Sequence, residues 1–190
     1  RTVIGNTTPK FSGGFGLNAT FKGFDVSAFF NFMYDFDVFN ANKVMMTTWA
    51  SNNYNNFSMD ISAAKRWRNF DDMGNEIRYS PEILAEFNKN ATMWNPTSIG
   101  RPIAMSYAVE DGSFLRLNTA TIGYTLPRAW TNKVGLSRVR FYASGYNLFT
   151  ITGYSGYDPE VDIATGLTPN IDNNRYPRSR TYTFGVQLTF

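Results

Sequence analysis

Residues 11–32 read FSGGFGLNATFKGFDVSAFFNF, and the order of residue types in this stretch decides the fold. Phe11, Phe15, Leu17, Ala19 and Phe21 share one parity, while Ser12, Gly14, Gly16, Asn18 and Thr20 share the other. Successive side chains of a β-strand point to opposite faces, so this period of two predicts an amphipathic strand. Its polar side is small and uncharged, which suits a wide, wet interior. Lys22-Gly23 is a minimal turn signal. Beyond it Phe24, Val26, Ala28, Phe30 and Phe32 alternate with Asp25, Ser27, Phe29 and Asn31, which makes the stretch a hairpin with arms of about ten residues, the length a tilted strand needs to cross a bilayer.

The same alternation returns towards the other end. Strand character resumes near Ala104, with Val109-Glu110-Asp111-Gly112 read as a bulge or turn. Leu115 and Leu117 lie on one parity, and Ala120, Ile122, Tyr124 and Leu126 on the other, so a β-bulge is expected between Leu117 and Ala120. Pro127, which has no N–H for a ladder, ends that strand. Residues 128–136 form a short connection with one helical turn. In residues 138–150 Val139, Phe141, Ala143 and Gly145 alternate with Arg140, Tyr142, Ser144 and Tyr146. The final strand, 180–190, places Tyr182, Phe184, Val186, Leu188 and Phe190 on one side and Thr181, Thr183, Gly185, Gln187 and Thr189 on the other.

Between these strands lie two long loops, about 35–104 and 152–178. The first carries residues 61–69, read as a short helix capped by Asp60, and a second helix running from Ser80-Pro81-Glu82 to about Asn88, with Ser80 as N-cap and Pro81 at the first helical position. The five expected strands put both long loops, and the segment before Lys10, at one end. The short connections 22–23 and 127–137 fall at the other. A membrane barrel has this asymmetry of long and short loops, whereas a soluble sandwich has no reason to obey it.

Composition agrees. Aromatic residues make up 17% of the 190 and charged residues another 17%, the latter below the roughly 25% of ordinary soluble domains. The net charge of +3 and the absence of a basic run give no footprint for nucleic acid. With no Cys and no His, zinc sites of the Cys/His type, thiol nucleophiles, disulfides and His-based triads are excluded. No stretch of about 18 apolar residues is present for a transmembrane helix. Arg1 reads as the middle of a longer protein, without a leader segment.

Several stretches carry a family resemblance: DGSFLRL at 111–117 with IGYTLP at 122–127, VRFYA at 139–143 with YNLFT at 146–150, GYDPEV at 156–161, and YPRSRTY at 176–182, preceded by the hairpin between Pro9 and Asn31. In this order they resemble the carboxy-terminal region of SusC/RagA-type TonB-dependent transporters. The resemblance implies an all-β fold: about five antiparallel strands at the carboxy-terminal end of an outer-membrane barrel of about 22 strands, with short helices in its extracellular loops. It implies a non-enzymatic importer of glycans or peptides, without a cofactor. The implied partners are the rest of the barrel and its plug, a SusD-like lipoprotein lid, outer-membrane lipid, and the TonB complex. The plug and the TonB-contacting region are expected to lie outside this chain. The last strand, ending on Phe190, resembles the signal read by the barrel-insertion machinery.

On this view Phe11, Phe15, Leu17, Phe21, Phe24, Val26, Phe30 and Phe32 face lipid. Trp49, Tyr54, Trp67 and Trp94 are candidates for contact with the ligand or the lid; packing the loop on itself is the plainer role for such amphipathic rings. Asp158, Glu160, Asp162 and Asp172 supply oxygens of the kind calcium takes, but their spacing matches no calcium loop, and a solvated acidic loop is the expectation. Asp71, Asp72 and Glu76 recommend a glycosidase only by residue type. The alternatives are a soluble carbohydrate-binding β-sandwich, whose single buried face would alternate in the same way, and a structural surface protein.

Overall fold

A computed structural model describes residues 2–49, 56–98, 103–160 and 169–190. The chain forms two compact units, one made of residues 1–39 and 109–190 and the other of residues 40–108.

The first unit is built on a five-stranded antiparallel sheet. Its strands are β1 (Phe11–Phe21), β2 (Phe24–Tyr34), β5 (Phe114–Thr125), β6 (Arg138–Thr152) and β8 (Thr181–Thr189), in the spatial order β1-β2-β5-β6-β8. Neighbours in sequence are therefore neighbours in the sheet. β1 and β2 pair without a slip from Phe11↔Tyr34 to Phe21↔Phe24. The turn between them has φ +46° at Lys22 and +90° at Gly23, the two positive values that a type I′ hairpin turn demands. Between Leu117 and Thr119 the pairing of β5 shifts against both neighbours. Against β2 the extra residue is Asn118, so the expected bulge forms at the point where the apolar parity slips; against β6 the extra residue lies on β6 between Tyr146 and Phe149, where Asn147 has φ +52°. β5 ends at Thr125, and Pro127 precedes a single turn, α3 (Arg128–Thr131), which runs on into a 3-10 turn (Asn132–Val134).

Three short strands were not foreseen: β3 (Asp37–Asn40), β4 (Val109–Asp111) and β7 (Ile171–Asp172) make a second sheet in the order β4-β3-β7. Residues 109–111, expected as a bulge or turn, are thus paired as a strand, Asp37↔Asp111 to Phe39↔Val109. Strand structure does not begin at Ala104: Ser106–Ala108 is a 3-10 turn, and the main-sheet strand starts at Phe114. Phe36, Val38, Phe114 and Tyr154 form the buried apolar cluster of this unit, with Met33 against it. It lies at the end of the sheet away from the Lys22-Gly23 turn.

The second unit contains α1 (Ala41–Met45), a 3-10 turn (Met59–Ile61), α2 (Pro81–Asn88) and another 3-10 turn (Pro96–Ser98). The helix expected over residues 61–69 is absent. Ser58 caps the 3-10 turn by accepting from the Asp60 N–H at 3.2 Å, and the Asp60 carboxylate is taken up by Ser58 and by the Tyr107 hydroxyl at 3.3 Å. Two backbone bonds, Thr92 N–H and Met93 N–H to the Lys65 carbonyl, hold residue 65 in a non-helical path. α2 forms where expected, with Pro81 in its first turn, although the Ser80 side chain makes no capping bond. At its other end buried Asn88 clasps the Arg68 peptide, accepting from its N–H at 2.6 Å and donating to its carbonyl at 2.9 Å. Among the described residues no helix is long and apolar enough to cross a membrane, a statement that leaves strands untouched.

Candidate functional site

The registers align the apolar parities of all five main strands on one face. Phe15 lies opposite Phe30, and their rings stack at 4.9 Å. Phe30 is opposite Leu117 and Leu117 opposite Phe149. Farther along, Phe24, Tyr124, Phe141 and Val186 form a continuous cross-strand row. Side chains directly opposite in an antiparallel pair stand on the same side. Phe11, Phe15, Leu17, Phe21, Phe24, Val26, Phe30 and Phe32 are therefore together with Tyr182, Phe184, Val186 and Leu188. Most are open to the surroundings, Phe21 at 70% and Phe184 at 81% exposure. The chain does not fold these rings into a dry centre, as a self-contained sandwich would require.

The opposite face is polar. Arg140 of β6 donates Nε to Asp25 Oδ1 of β2 at 2.9 Å and Nη2 to Asp25 Oδ2 at 2.5 Å. Thr121 and Ser144 hydroxyls meet at 2.8 Å. Phe29 is accommodated there because it lies over Gly14, where a Cβ would come within 2.8 Å of its ring.

At the long-loop end of that face a charged knot ties down residues 153–160 and 169–178. Arg116 of β5 is 3% exposed, and its Nη2 donates to Asp158 Oδ1 at 2.5 Å. Its Nε lies 3.1 Å from Glu160 Oε2, close enough for an ion pair but not aligned as a hydrogen bond. Arg178 approaches Glu160 Oε1 at 3.3 Å, and its backbone N–H donates to Asp158 Oδ2. The guanidinium of Arg116 also lies 5.6 Å from the Phe114 ring centroid. Burial pushes the Asp158 carboxyl up, but the Arg116 hydrogen bond, the Glu160 N–H, the Arg116 charge and the Arg178 N–H together hold it below the usual value. Two further ties flank the knot. Tyr154 donates its hydroxyl to Asp172 at 2.7 Å, and burial first, then this bond, raises its phenol above the usual value. Glu110 accepts from the Ser155 N–H at 2.9 Å and hydroxyl at 2.8 Å.

The expectation of a solvated acidic loop is therefore corrected. Asp158, Glu160 and Asp172 are buried and partnered; Asp162 lies outside the described residues. No group of acids among the described residues could hold a metal ion. The carboxylates considered for glycoside chemistry have structural roles. Asp71 closes its own turn by accepting from Met73, Asn75 and the Asn75 side chain. Asp72 pairs with Arg68, and Glu76 with Arg78.

Of the loop aromatics, Trp94 donates its indole N–H to the Thr47 carbonyl at 3.0 Å and meets Tyr107 edge-on at 5.0 Å. Trp49 lies 5.8 Å from Phe57 and stays about half exposed; Trp67 is 39% exposed and lines an open cleft with Phe70, Arg66 and Asn95. Tyr54 lies outside the described residues.

A sheet with one open apolar face, one polar face and unclosed edges is the wall of a membrane-spanning β-barrel. No family model matches the chain. It is 32% identical over 196 residues to "TonB-dependent receptor P3" of Formosa agariphila, covering 100% of this chain and 17% of that protein. It is also 32% identical over 164 residues to "TonB-dependent receptor SusC" of Bacteroides thetaiotaomicron, covering 79% and 15%. Among solved structures, the RagAB peptide transporter superposes with a TM-score of 0.73 at 26% identity, over 99% of this chain and 18% of that one. The RagAB peptide importer in its closed-closed state gives 0.70 at 25%, over 96% and 17%. The chain belongs to the SusC/RagA-like TonB-dependent receptors of the outer membrane, as a carboxy-terminal fragment of their barrel. This is a class of receptors and importers, not of enzymes. The chain spans about a sixth of the length of the curated relatives it matches.

Proposed function

We propose that this segment is part of the wall of a TonB-dependent active transporter that imports glycans or peptides beneath a SusD-like lipoprotein lid. The observation that carries this reading is the sheet itself, with its apolar parities aligned across five strands and β1 and β8 left as open edges. Hydrocarbon tolerates no unpaired strand edge, so other strands of the parent barrel continue the sheet on both sides. The apolar face, including the eight side chains from Phe11 to Phe32 named above, meets lipid. The polar face lines the interior, where the plug sits. Tyr182, Phe184, Val186, Leu188 and Phe190 serve as the assembly signal of the last strand. In the long loop Trp49, Tyr54, Trp67 and Trp94 are the aromatic candidates for ligand or lid contact, with the open rings of Trp49 and Trp67 best presented. The TonB complex acts through residues outside this chain.

The name of the RagAB relative favours peptide cargo for that protein; the alternative of glycan cargo is kept for this one. Growth of the host with and without the whole receptor, on defined oligosaccharides and on defined peptides as sole nutrient, separates them. Loss of growth on one class names the cargo. Unchanged growth and unchanged uptake of every substrate would remove the transport reading.

A further inference from the structure

The apolar face has a depression. Ala143 of β6 is flanked in register by Ile122 of β5 and Phe184 of β8. Its methyl group sits among larger neighbours, Tyr124, Phe141 and Phe24 besides these two, and the backbone of Gly123 and Gly185 forms part of the floor. The result is an open apolar groove of about 470 Å³. It lies at the end of the sheet that carries the short connections.

That end is also cationic. Lys22 stands in the β1–β2 turn, Arg128 and Lys133 in the helical connection between β5 and β6, and Arg138 at the start of β6. All four are exposed, and none has an ion-pair partner among the described residues. In residues 18–26, 122–143 and 184–190 the single acidic side chain is Asp25, which Arg140 already holds. Trp130, 62% exposed, lies between Arg128 and Lys133 in sequence. An exposed tryptophan among cations is the chemistry of a headgroup layer.

We propose that this end of the barrel wall binds an anionic phospholipid, with one acyl chain in the groove over Ala143 and the phosphate among Lys22, Arg128 and Lys133. The inference rests on the reading that the apolar face meets lipid. From Arg138 to Ala143 the strand runs about 17 Å, or about 13 Å along the membrane normal at the usual barrel tilt, close to the depth of one leaflet's hydrocarbon, half of roughly 30 Å. The groove's apolar lining favours an acyl chain over a peptide, because a peptide there would leave its N–H and C=O groups without partners. The unpaired cations select an anionic over a zwitterionic headgroup.

The test uses the whole receptor, reconstituted with equal phosphatidylglycerol and phosphatidylcholine, stripped by detergent, and weighed with its retained lipid by native mass spectrometry. The wild type is expected to retain phosphatidylglycerol about a hundredfold over phosphatidylcholine, the size expected of three cations each worth about fivefold on one anionic headgroup. The combined variant K22Q/R128Q/K133Q should lose the preference but keep lipid. Ala143→Phe, which fills the groove, should lose retained lipid with the cations intact. Heat-resistant gel mobility confirms that each variant is a folded barrel. Equal retention of the two lipids by the wild type overturns the proposal, as does a preference unchanged in the charge variant or a cationic rim occupied by a co-purifying acidic protein. A fluorophore at Ile122→Cys separates the two levels of the argument. Quenching by brominated lipid without a headgroup preference sinks this inference alone; absence of quenching sinks the lipid-facing reading with it.

Discussion

Arg140 and Asp25 are joined by two hydrogen bonds that pass over a third strand, above Gly123 of β5. In register Gly123 lies between them, opposite Asp25 on one side and Tyr142 on the other. A Cβ at residue 123 would fall within the guanidinium and on the carboxylate. The pair thus depends on a residue with no side chain. Gly123→Ala in the whole receptor is expected to break the bidentate contact and lower stability by about 1–3 kcal/mol, the usual range for hydrogen bonds between charged groups. The readout is the temperature at which the folded barrel loses its heat-resistant gel mobility. An unchanged transition would mean that the pair contributes nothing.

Arg116→Met should release residues 154–160 and 171–178. The substitution keeps a long apolar stem but leaves Asp158 as a buried carboxylate without a guanidinium and Glu160 with Arg178 alone. Removing one partner of a buried ion pair costs about 3–5 kcal/mol. Arg116→Lys should restore only part, because an ammonium lacks the planar fork that reaches both acids. Hydrogen exchange at residues 154–160 and 171–178 measures the effect. Equal protection in the wild type and both variants would show that the loop is held by something else.

The same loop should have a stability window bounded by pH. The Asp158 carboxyl lies below its ordinary value in the folded state, so its contribution is full above the unfolded value near 4 and is lost as pH falls through the lower, folded value. The Tyr154 phenol is shifted the opposite way. Its contribution is full below about pH 10 and fades as pH rises beyond that. Exchange protection of the loop is therefore expected to be flat between these limits. Asp158→Asn should remove the acid-side slope, and Tyr154→Phe the alkaline one. A steady change in protection between pH 5 and 8 would contradict both assignments.

How much of this was legible in the sequence follows from the length scale of each signal. β1, β2, β6 and β8 each carry at least four alternating positions, enough for a period of two to stand out. Even the Asn118 bulge was visible, because it moves the apolar parity from Leu117 to Ala120. β3, β4 and β7 have two to four residues each, too few to show any period, and the Val109–Asp111 strand looked like a turn. The knot was hidden for a different reason. Arg116 and Asp158 are 42 residues apart, and nothing local marks an acid as buried. One signal was available: an arginine between Leu115 and Leu117 on a strand needs a partner on its own face. The misread helix over residues 61–69 had plausible composition, but tertiary bonds to the Lys65 carbonyl overrode it.

Neighbouring residues of β8 offer the sharpest test of the two faces. Phe184 and Thr183 are adjacent in sequence, yet Phe184 is opposite Ala143 on the apolar side and Thr183 opposite Ser144 on the polar side. A cation directed at hydrocarbon near mid-bilayer costs a barrel about 2–4 kcal/mol, whereas one directed at a wet interior costs little. In the whole receptor Phe184→Arg should therefore reduce the yield of folded barrel in lipid vesicles, and Thr183→Arg should not. Both variants add the same side chain to the same strand, so strand propensity and net charge cancel from the comparison. Equal loss in the two would point to a general failure of β8 to pair, and a greater loss for Thr183→Arg would reverse the assignment of the faces.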